Sequence, residues 1–446
     1  MRPCRRLSRI GMKKNGLLAV VLSCVLLLCG CAYGATVDSL LVPPRLSGEQ
    51  EQIYQALQDV VGKDIKLQYP KSGDYLSAFI LADFDEDAEE EALVFYEKTG
   101  LSAAENNLRM NVLDKRSDTW MSVCDIPAVG AEIERVMISP IGVKNGTRIV
   151  IGYSVVDQYD RALVVYDYSD GVLSQGFTAA YSLFDIHDLD GNGTKELLVM
   201  RTDSAMGNAL ALVYSPDEND QFRRMQLSLR SSCTGFSQVL YAEQEDGVSV
   251  VYADMLTGVT TMQTELFRYD GEKLSHVLED ESAASETTRS VGCLTLDIDG
   301  DGTPEIPVQT VFPGYEGTAS DQNIRLTRWM TAQDGRLQEK YRGYYSVSEG
   351  YAFMLPEQWR EDVTAISDGL TGDIVFYHYT GSLTEPMQEL LRIGTASDRE
   401  TRETLLEEGY RLLYSRGNAY YFMYPVESTD ALCLPESQLL GCFRFV

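Results

Sequence analysis

The chain has 446 residues, of which 44% are hydrophobic and 24% are charged, a balance typical of globular proteins with two or three packed cores. Its 67 acidic residues outnumber its 38 lysines and arginines, and the formal net charge is −29. Such a composition excludes disordered and fibrous classes. Because so acidic a chain offers no basic surface to a phosphate backbone, we predict that it does not bind nucleic acid.

The first 30 residues have the pattern of a bacterial secretory signal. They contain no acidic residue, and an apolar run over residues 17–28 follows a basic cluster. The cluster comprises Arg2, Arg5, Arg6, Arg9, Lys13 and Lys14. We therefore predict that residues 1–30 are a signal peptide and that the rest of the chain is exported.

The signal ends in Leu28-Cys29-Gly30-Cys31, which resembles the lipobox of bacterial lipoproteins. The resemblance implies cleavage before Cys31, acylation of its thiol and a tether over residues 31–46. Acyl chains such as palmitate would then anchor the protein to the outer face of the cell membrane, at about 0.8 kcal/mol per buried methylene. An uncleaved transmembrane anchor is the alternative, since the apolar stretch is nearly long enough to span a bilayer.

Residues 47–345 are predicted to form one helix followed by a β domain. Ser47 is the expected N-cap, Gln50 completes a capping box, and Gly62 ends the helix. From about residue 75 the apolar residues alternate with the period of strands.

Three acidic turns recur in this β region, each followed by an apolar strand. We name them turn A (83–91), turn B (188–196) and turn C (297–305). Two degraded copies lie between them, at residues 141–151 and 242–251. Each turn with its following strand predicts one unit of a repeated sheet.

The spacing of these units indicates their size. Equivalent positions in the five copies are 57, 48, 52 and 57 residues apart. A period near this length matches one four-stranded blade of a β-propeller. We predict a mainly β protein, a β-propeller of about five or more blades, in which residues 47–75 or 325–345 could supply a closing strand.

Oxygen-bearing residues alternate in turns B and C, at positions 1, 3, 5, 7 and 9. Side chains two residues apart in a tight loop point inward together, and Ca²⁺ prefers six to eight oxygen ligands. Thr194 and Thr303 would contribute backbone carbonyls. The predicted ligands are Asp188, Asp190, Asn192, Thr194 and Glu196 in turn B, and Asp297, Asp299, Asp301, Thr303 and Glu305 in turn C.

The position of the last acid separates these turns from EF-hand and dockerin loops. Those loops need an acid at position 12, where this chain has Val94, Val199 and Val308. The turns resemble the FG-GAP and VCBS repeats of integrin-α-like β-propellers over roughly residues 75–345, and the whole layout is similar to lipoproteins of Gram-positive bacteria that carry them.

That resemblance implies structural Ca²⁺ in turn A as well. Glu86 and Ala88 stand there in place of the usual glycines, and an acidic hairpin held by its own backbone hydrogen bonds is the alternative. The implied ligands in turn A are Asp83, Asp85, Asp87, Glu89 and Glu91. In the degraded copy at 141–151, Lys144 and Arg148 stand at ligand positions, so a fixed cation could replace the ion.

Residues 346–446 are predicted to form a separate, small α+β domain, because the repeat stops there. Cys433 and Cys442 within it could pair or remain free thiols. The chain has three histidines and no Cys-x-x-Cys pair, nucleophile elbow or phosphate loop.

We therefore predict that the chain is not an enzyme but an extracellular binding or scaffold module for a protein or glycan. The alternative is a surface hydrolase acting on glycans or cell-wall material, because paired carboxylates can perform glycoside chemistry.

Overall fold

A computed structural model describes most of the chain after the predicted tether. The described residues are 46–99, 107–142, 147–155, 161–203, 208–217, 219, 221–280, 282–317 and 324–446. The predicted signal peptide, Cys31 and Lys144 lie outside them. The described residues from 56 to 446 belong to one compact unit. Among the described helices, none combines the length and apolar character needed to cross a bilayer.

The predicted helix is α1 (Gly48–Val61). The Ser47 Oγ accepts a hydrogen bond from the Gln50 N–H, and the Gln50 Oε1 accepts one from the Ser47 N–H, both at 3.1 Å. Gly62 has a φ of +93°, the left-handed conformation that ends a helix without steric cost. The capping box and both ends of this helix are confirmed.

The chain is mainly β, and its strands form six antiparallel sheets in chain order. Sheet 1 consists of β1 (Ile65–Leu67), β2 (Phe79–Ala82), β3 (Glu91–Lys98), β4 (Leu108–Arg116) and β5 (Thr119–Pro127). Sheet 2 consists of β6 (Glu132–Pro140), β7 (Thr147–Ser154), β8 (Arg161–Ser169) and β9 (Val172–Tyr181). Sheet 3 consists of β10 (Leu183–His187), β11 (Glu196–Asp203), β12 (Asn208–Pro216) and β13 (Phe222–Ser232).

Each of the remaining three sheets contains five strands. Sheet 4 consists of β14 (Gly235–Glu243), β15 (Ser249–Leu256), β16 (Thr261–Tyr269), β17 (Leu274–His276) and β18 (Arg289–Ser290). Sheet 5 consists of β19 (Ile306–Val311), β20 (Arg325–Gln333), β21 (Arg336–Ser346), β22 (Tyr351–Met354) and the C-terminal β28 (Phe443–Phe445). Sheet 6 consists of β23 (Val363–Ser367), β24 (Ile374–His378), β25 (Gln388–Ala396), β26 (Arg411–Arg416) and β27 (Ala419–Pro425).

Short helices connect these strands. They are α2 (Ala283–Glu286), a 3₁₀ turn (Glu357–Trp359), α3 (Arg399–Glu407) and α4 (Glu436–Leu440). The Asp398 Oδ1 caps α3 by accepting a hydrogen bond from the Thr401 N–H at 2.9 Å.

Successive sheets pack face to face through shared hydrophobic clusters. Members of these clusters include Phe95 with Ile151 for sheets 1 and 2, Val165 with Leu197 for sheets 2 and 3, Met200 with Val251 for sheets 3 and 4, Leu266 with Ile306 for sheets 4 and 5, and Leu326 with Phe376 for sheets 5 and 6. Burying each such side chain contributes roughly 1.5–3 kcal/mol. Consecutive antiparallel sheets that pack in this way are the blades of a β-propeller, and the predicted mainly β fold class is confirmed.

The five predicted units correspond to sheets 1–5. Turn A connects β2 to β3 in sheet 1, and turn B connects β10 to β11 in sheet 3. Turn C lies between Leu296 and β19, where Leu296 bridges to Glu305. The degraded copies occupy the same place in sheets 2 and 4. The predicted domain boundaries stay predictions, although β22 and β28, which lie beyond residue 345, pair within sheet 5.

All five described cysteines are free thiols. The Cys433 Sγ donates to the carbonyl of Val426 at 2.8 Å, and the Cys442 Sγ donates to the carbonyl of Gln438 at 3.4 Å. Of the two alternatives for this pair, the structure has the unpaired one.

Candidate metal centres and the cavity beside them

The first aspartate of each acidic turn stabilises the loop, because its carboxylate accepts hydrogen bonds from backbone N–H groups further along the turn. In turn B the two carboxylate oxygens of Asp188 accept hydrogen bonds from the backbone N–H groups of Gly191 and Gly193, at 2.9 and 2.8 Å. Asp297 makes the same two kinds of bond in turn C, at 2.7 and 2.8 Å. Aspartate side chains commonly stabilise turns in this way, so the local sequence is sufficient to build the loop.

The glutamate at position 9 is buried at the base of each turn. Glu91, Glu196 and Glu305 are at most 1% exposed. The Glu196 Oε2 accepts a hydrogen bond from the backbone N–H of Leu189 at 2.9 Å, and the other two make the equivalent bond at 2.7 and 2.9 Å. One oxygen of each glutamate thus holds the turn, and the other is available to a cation.

Each turn brings several carboxylates together. Within each group the nearest ligand atoms lie within 4.8 Å of one another. The groups are Asp83, Asp85 and Glu91 in turn A, Asp188, Asp190 and Glu196 in turn B, and Asp297, Asp299, Asp301 and Glu305 in turn C.

The other predicted ligands bond within their own turns. The Asp87 Oδ1 accepts a hydrogen bond from the Glu89 N–H at 2.8 Å. The Asn192 Oδ1 accepts hydrogen bonds from the N–H and hydroxyl of Thr194, at 2.7 and 2.5 Å. The Thr303 N–H donates to Asp301 at 2.8 Å. These contacts shape the loops around the carboxylate groups.

In turns A and B the buried glutamates have raised pKa values. Burial raises the pKa of Glu91 to about 7 and that of Glu196 to about 8, and neighbouring aspartates reinforce the rise. Burial also raises the pKa of Asp190. Several carboxylates packed together repel one another unless a proton or a cation neutralises them. The oxygen-only donor set fits a hard divalent cation such as Ca²⁺.

In turn C a basic side chain from another strand lies among the carboxylates, whereas among the described residues no Lys or Arg forms an ion pair with the carboxylates of turn A or turn B. The Lys340 Nζ on β21 lies 2.8 Å from Asp299, 2.5 Å from Asp301 and 2.7 Å from Glu305. The Tyr341 hydroxyl donates to Asp299 at 2.7 Å. An ammonium group therefore lies among the carboxylates where the predicted ion would bind.

The contact with Lys340 affects the pKa values of the groups in turn C. Although burial opposes the effect, hydrogen bonds to the three carboxylates raise the pKa of Lys340 well above its ordinary value. The hydrogen bond from Lys340 lowers the pKa of Asp301. Burial raises the pKa of Glu305, and Lys340 opposes that rise.

The degraded copy in sheet 2 contains a buried arginine at position 9. The Arg148 Nε lies 2.8 Å from Asp167, and its Nη1 donates to the carbonyl of Ile141 at 2.8 Å. Arg148 is only 4% exposed, at the position that a glutamate occupies in the acidic turns. The structure therefore contains a fixed cation at this position, as the sequence predicts.

Sheet 6 contains a related turn that the sequence analysis missed. It connects β23 to β24 over residues 368–373. The Arg392 Nη1 lies 2.8 Å from Asp368 and 3.6 Å from Asp373, and the Tyr410 hydroxyl donates to Asp373 at 2.5 Å. The basic residue lies on a later strand, so only the short Asp-Gly and Gly-Asp pairs could have indicated this turn.

A cavity of about 870 Å³ lies beside the turns of sheets 3, 4 and 5. His187 and Tyr241 stack face to face in its wall, with ring centroids 3.8 Å apart. The Tyr241 hydroxyl donates to Asp185 at 2.9 Å, which fixes the ring. Burial lowers the pKa of His187. The carboxylates in the lining are Asp188, Glu243, Glu245 and Asp301.

Comparisons with known proteins identify distant structural likenesses. No protein-family model and no curated protein sequence matches the chain. A solved exotype rhamnogalacturonan lyase, YesX, is 13% identical with a TM-score of 0.27, covering 69% of this chain and 63% of the lyase. Chaetomium thermophilum Sqt1 is 11% identical (TM-score 0.31, coverage 70% and 72%), and the Dos1 propeller is 9% identical (TM-score 0.26, coverage 78% and 81%).

One prediction is corrected by this comparison. We predicted that the chain is not an enzyme, yet three rhamnogalacturonan lyases are among the structures that it matches, and the prediction is withdrawn. The absence of familiar motifs could not support it, because carboxylate chemistry requires no sequence motif. The chain spans less than two thirds of these lyases, and TM-scores of 0.25–0.27 carry no argument for lyase activity.

Turn A allows a test of backbone strain. Glu86 and Ala88 adopt φ values of +63° and +74°, where Gly191 and Gly193 of turn B have +71° and +87°. A side chain in this conformation costs about 1–2 kcal/mol relative to glycine. We expect Ala88→Gly to increase the free energy of unfolding by about 1 kcal/mol, measured by urea denaturation.

The matched control is the reverse substitution, glycine to alanine, at the equivalent position of turn B. Gly193 has open space around it, so Gly193→Ala introduces no clash and tests the backbone alone. We expect it to decrease the free energy of unfolding by about 1 kcal/mol. Equal stability of Ala88→Gly and the wild type would contradict the assignment of strain to turn A.

Proposed function

We propose that the chain is a membrane-anchored extracellular lipoprotein whose β-propeller, built from FG-GAP- or VCBS-like repeats, is stabilised by Ca²⁺ and acts as a binding or scaffold module. The observation that carries the proposal is the repetition of one carboxylate group at equivalent turns of sheets 1 and 3. Both groups place a buried glutamate beside two aspartates, and neither has a Lys or Arg partner among the described residues.

The donor chemistry supports Ca²⁺ as the ion. The clustered side chains offer oxygen and no nitrogen or sulfur, which favours hard cations over zinc or copper. Extracellular Ca²⁺ modules have dissociation constants of about 10⁻⁴–10⁻³ M. At such affinities the ion stabilises the folded loops.

The cavity beside turn B supports a binding role. Asp188, Gly191 and Gly193 of turn B contribute to its wall, and the stacked pair of His187 and Tyr241 offers a flat aromatic surface. Aromatic faces bind the apolar faces of sugars and the side chains of peptides. Because the ion would fix the shape of turn B, we expect ligand binding to depend on Ca²⁺.

Binding can be tested with the full-length chain immobilised through a detergent micelle. It is screened against a panel of bacterial envelope glycans and of peptides, in 10 mM Ca²⁺ or in EDTA. We expect a ligand that is retained in Ca²⁺ and lost both in EDTA and in Asp188→Asn. Retention that is equal in Ca²⁺ and EDTA would contradict the proposed role of the ion.

Membrane anchoring has its own test, because the leader lies outside the described residues. We expect Cys31→Ala to abolish incorporation of radiolabelled fatty acid and to leave an unprocessed precursor, since the acylated thiol is absent. Cys29→Ala is the matched control and should be labelled like the wild type. Continued acylation of Cys31→Ala would contradict the lipobox.

A surface hydrolase acting on glycans or cell-wall material is a second candidate function. The observation that favours it is the presence of Glu243 and Glu245 in the same cavity as the aromatic pair. Release of reducing ends from cell-wall glycans, lost in Glu243→Gln or Glu245→Gln, would support it. Binding without product release would support the binding module.

A further inference from the structure

We propose that turn C holds the ammonium group of Lys340 in place of Ca²⁺, so that the protein binds Ca²⁺ at turns A and B only. This inference rests on the proposed Ca²⁺ binding and specifies which turns perform it. It departs from the sequence pattern, in which turns B and C have equally complete ligand sets.

The geometry of Lys340 matches the three carboxylates around it. An ammonium group has three N–H donors, and the Nζ lies within 2.8 Å of an oxygen from each of Asp299, Asp301 and Glu305. These are three of the four side chains that converge in turn C. The oxygens that would bind a metal are therefore already used by the lysine.

A divalent cation could enter only by displacing this ammonium group. Two cations within a few ångströms repel each other strongly in a partly buried site. Lys340 lies on β21, and the adjacent Tyr341 also donates to Asp299, so two neighbouring residues of one strand bind the turn. Displacement would break these hydrogen bonds as well.

At other turns of this fold a basic side chain of the protein also binds the polar groups of the turn. Arg148 occupies the turn of sheet 2, Arg268 lies 2.8 Å from Asp246 in sheet 4, and Arg392 binds the turn of sheet 6. Among the residues that the structure describes, no Lys or Arg forms an ion pair with an acid of turn A or turn B. Those two turns are left to an external cation.

The test is the number of Ca²⁺ ions bound per full-length chain, measured by flow dialysis in detergent micelles. We expect two for the wild type and three for Lys340→Met, which keeps the length of the side chain and removes its charge. Lys195→Met, at an exposed lysine of turn B, is the matched control and should bind two. A circular dichroism spectrum equal to that of the wild type establishes that each variant is folded.

A second pair of variants tests the inference without altering Lys340. Asp188→Asn and Asp297→Asn change the same position in turns B and C. We expect Asp188→Asn to bind one Ca²⁺ and Asp297→Asn to bind two. This pair remains informative if Lys340→Met fails to fold.

The possible results separate this inference from the proposed function. Three ions in the wild type, or no additional ion in Lys340→Met, would overturn the role of Lys340 while leaving Ca²⁺ binding intact. No ion in the wild type and one in Lys340→Met would support the role of Lys340 and refute Ca²⁺ binding at turns A and B. No ion in either protein would overturn both.

Discussion

Removal of Ca²⁺ with EDTA is expected to lower the melting temperature by about 3–6 °C relative to 10 mM Ca²⁺. At dissociation constants of about 10⁻⁴–10⁻³ M, each of two sites stabilises the fold by roughly 1.4–2.7 kcal/mol in 10 mM Ca²⁺. An unfolding entropy of about 2.1 cal/mol/K per residue converts the sum into that shift. Differential scanning calorimetry of the full-length chain measures it.

The control removes the charges that would bind the ion. In the double variant Glu91→Gln, Glu196→Gln, each new amide oxygen can still accept the backbone hydrogen bond of its turn. We therefore expect this variant to melt at the same temperature in Ca²⁺ and in EDTA. A wild-type melting temperature that is the same in both would contradict the assignment.

The Ca²⁺ response should also grow with pH. In the metal-free fold the pKa values of Glu91 and Glu196 are about 7 and about 8, above the ordinary value of 4.5. The contribution of these two glutamates to the stability of the metal-free fold is therefore fully present below about pH 4.5. It is lost as the pH rises through 7 and 8. Because Ca²⁺ binds the ionised form, its effect on the melting temperature should be larger at pH 8 than at pH 5.

The predicted parts of the structure are those set by local sequence. The capping box at Ser47, the acidic turns and the strands that follow them depend on residues less than ten positions apart. Aspartate and glycine spacing is sufficient to specify such a turn. The repeat of five units could therefore be read from one sequence.

The missed features depend on residues far apart in the chain. Lys340 lies 35 residues after Glu305, and Arg392 lies 24 residues after Asp368. Only the pairing of strands brings each basic residue to its turn. The sixth sheet was missed as a repeat because its turn has only Asp368 and Asp373 as acids, so the alternating pattern is absent.

The same dependence on distant partners applies to the ion pair between Asp254 and Arg289 in sheet 4. Both side chains are fully buried, and the Arg289 Nη2 lies 2.8 Å from the Asp254 Oδ1. Asp254 also accepts hydrogen bonds from the N–H and hydroxyl of Thr295, at 2.8 and 2.7 Å, and from the hydroxyl of Thr264 at 2.7 Å. The network therefore attaches the segment before turn C to β15.

Loss of one member of this pair should be strongly destabilising. We expect Asp254→Ala to decrease the free energy of unfolding by about 3–5 kcal/mol, because the guanidinium of Arg289 is left buried without its counter-ion. Urea denaturation measures the change. Hydrogen exchange should also accelerate at residues 287–305, since Thr295 loses two of its bonds.

The control for this effect replaces both charges at once. Asp254→Leu with Arg289→Met leaves no unpaired charge, so we expect the double variant to be less destabilised than the sum of its two single variants. An additive double variant would show that the two side chains do not interact. Because Thr295 is two residues from Asp297, loosening this segment should also disturb the contact of Lys340 with turn C.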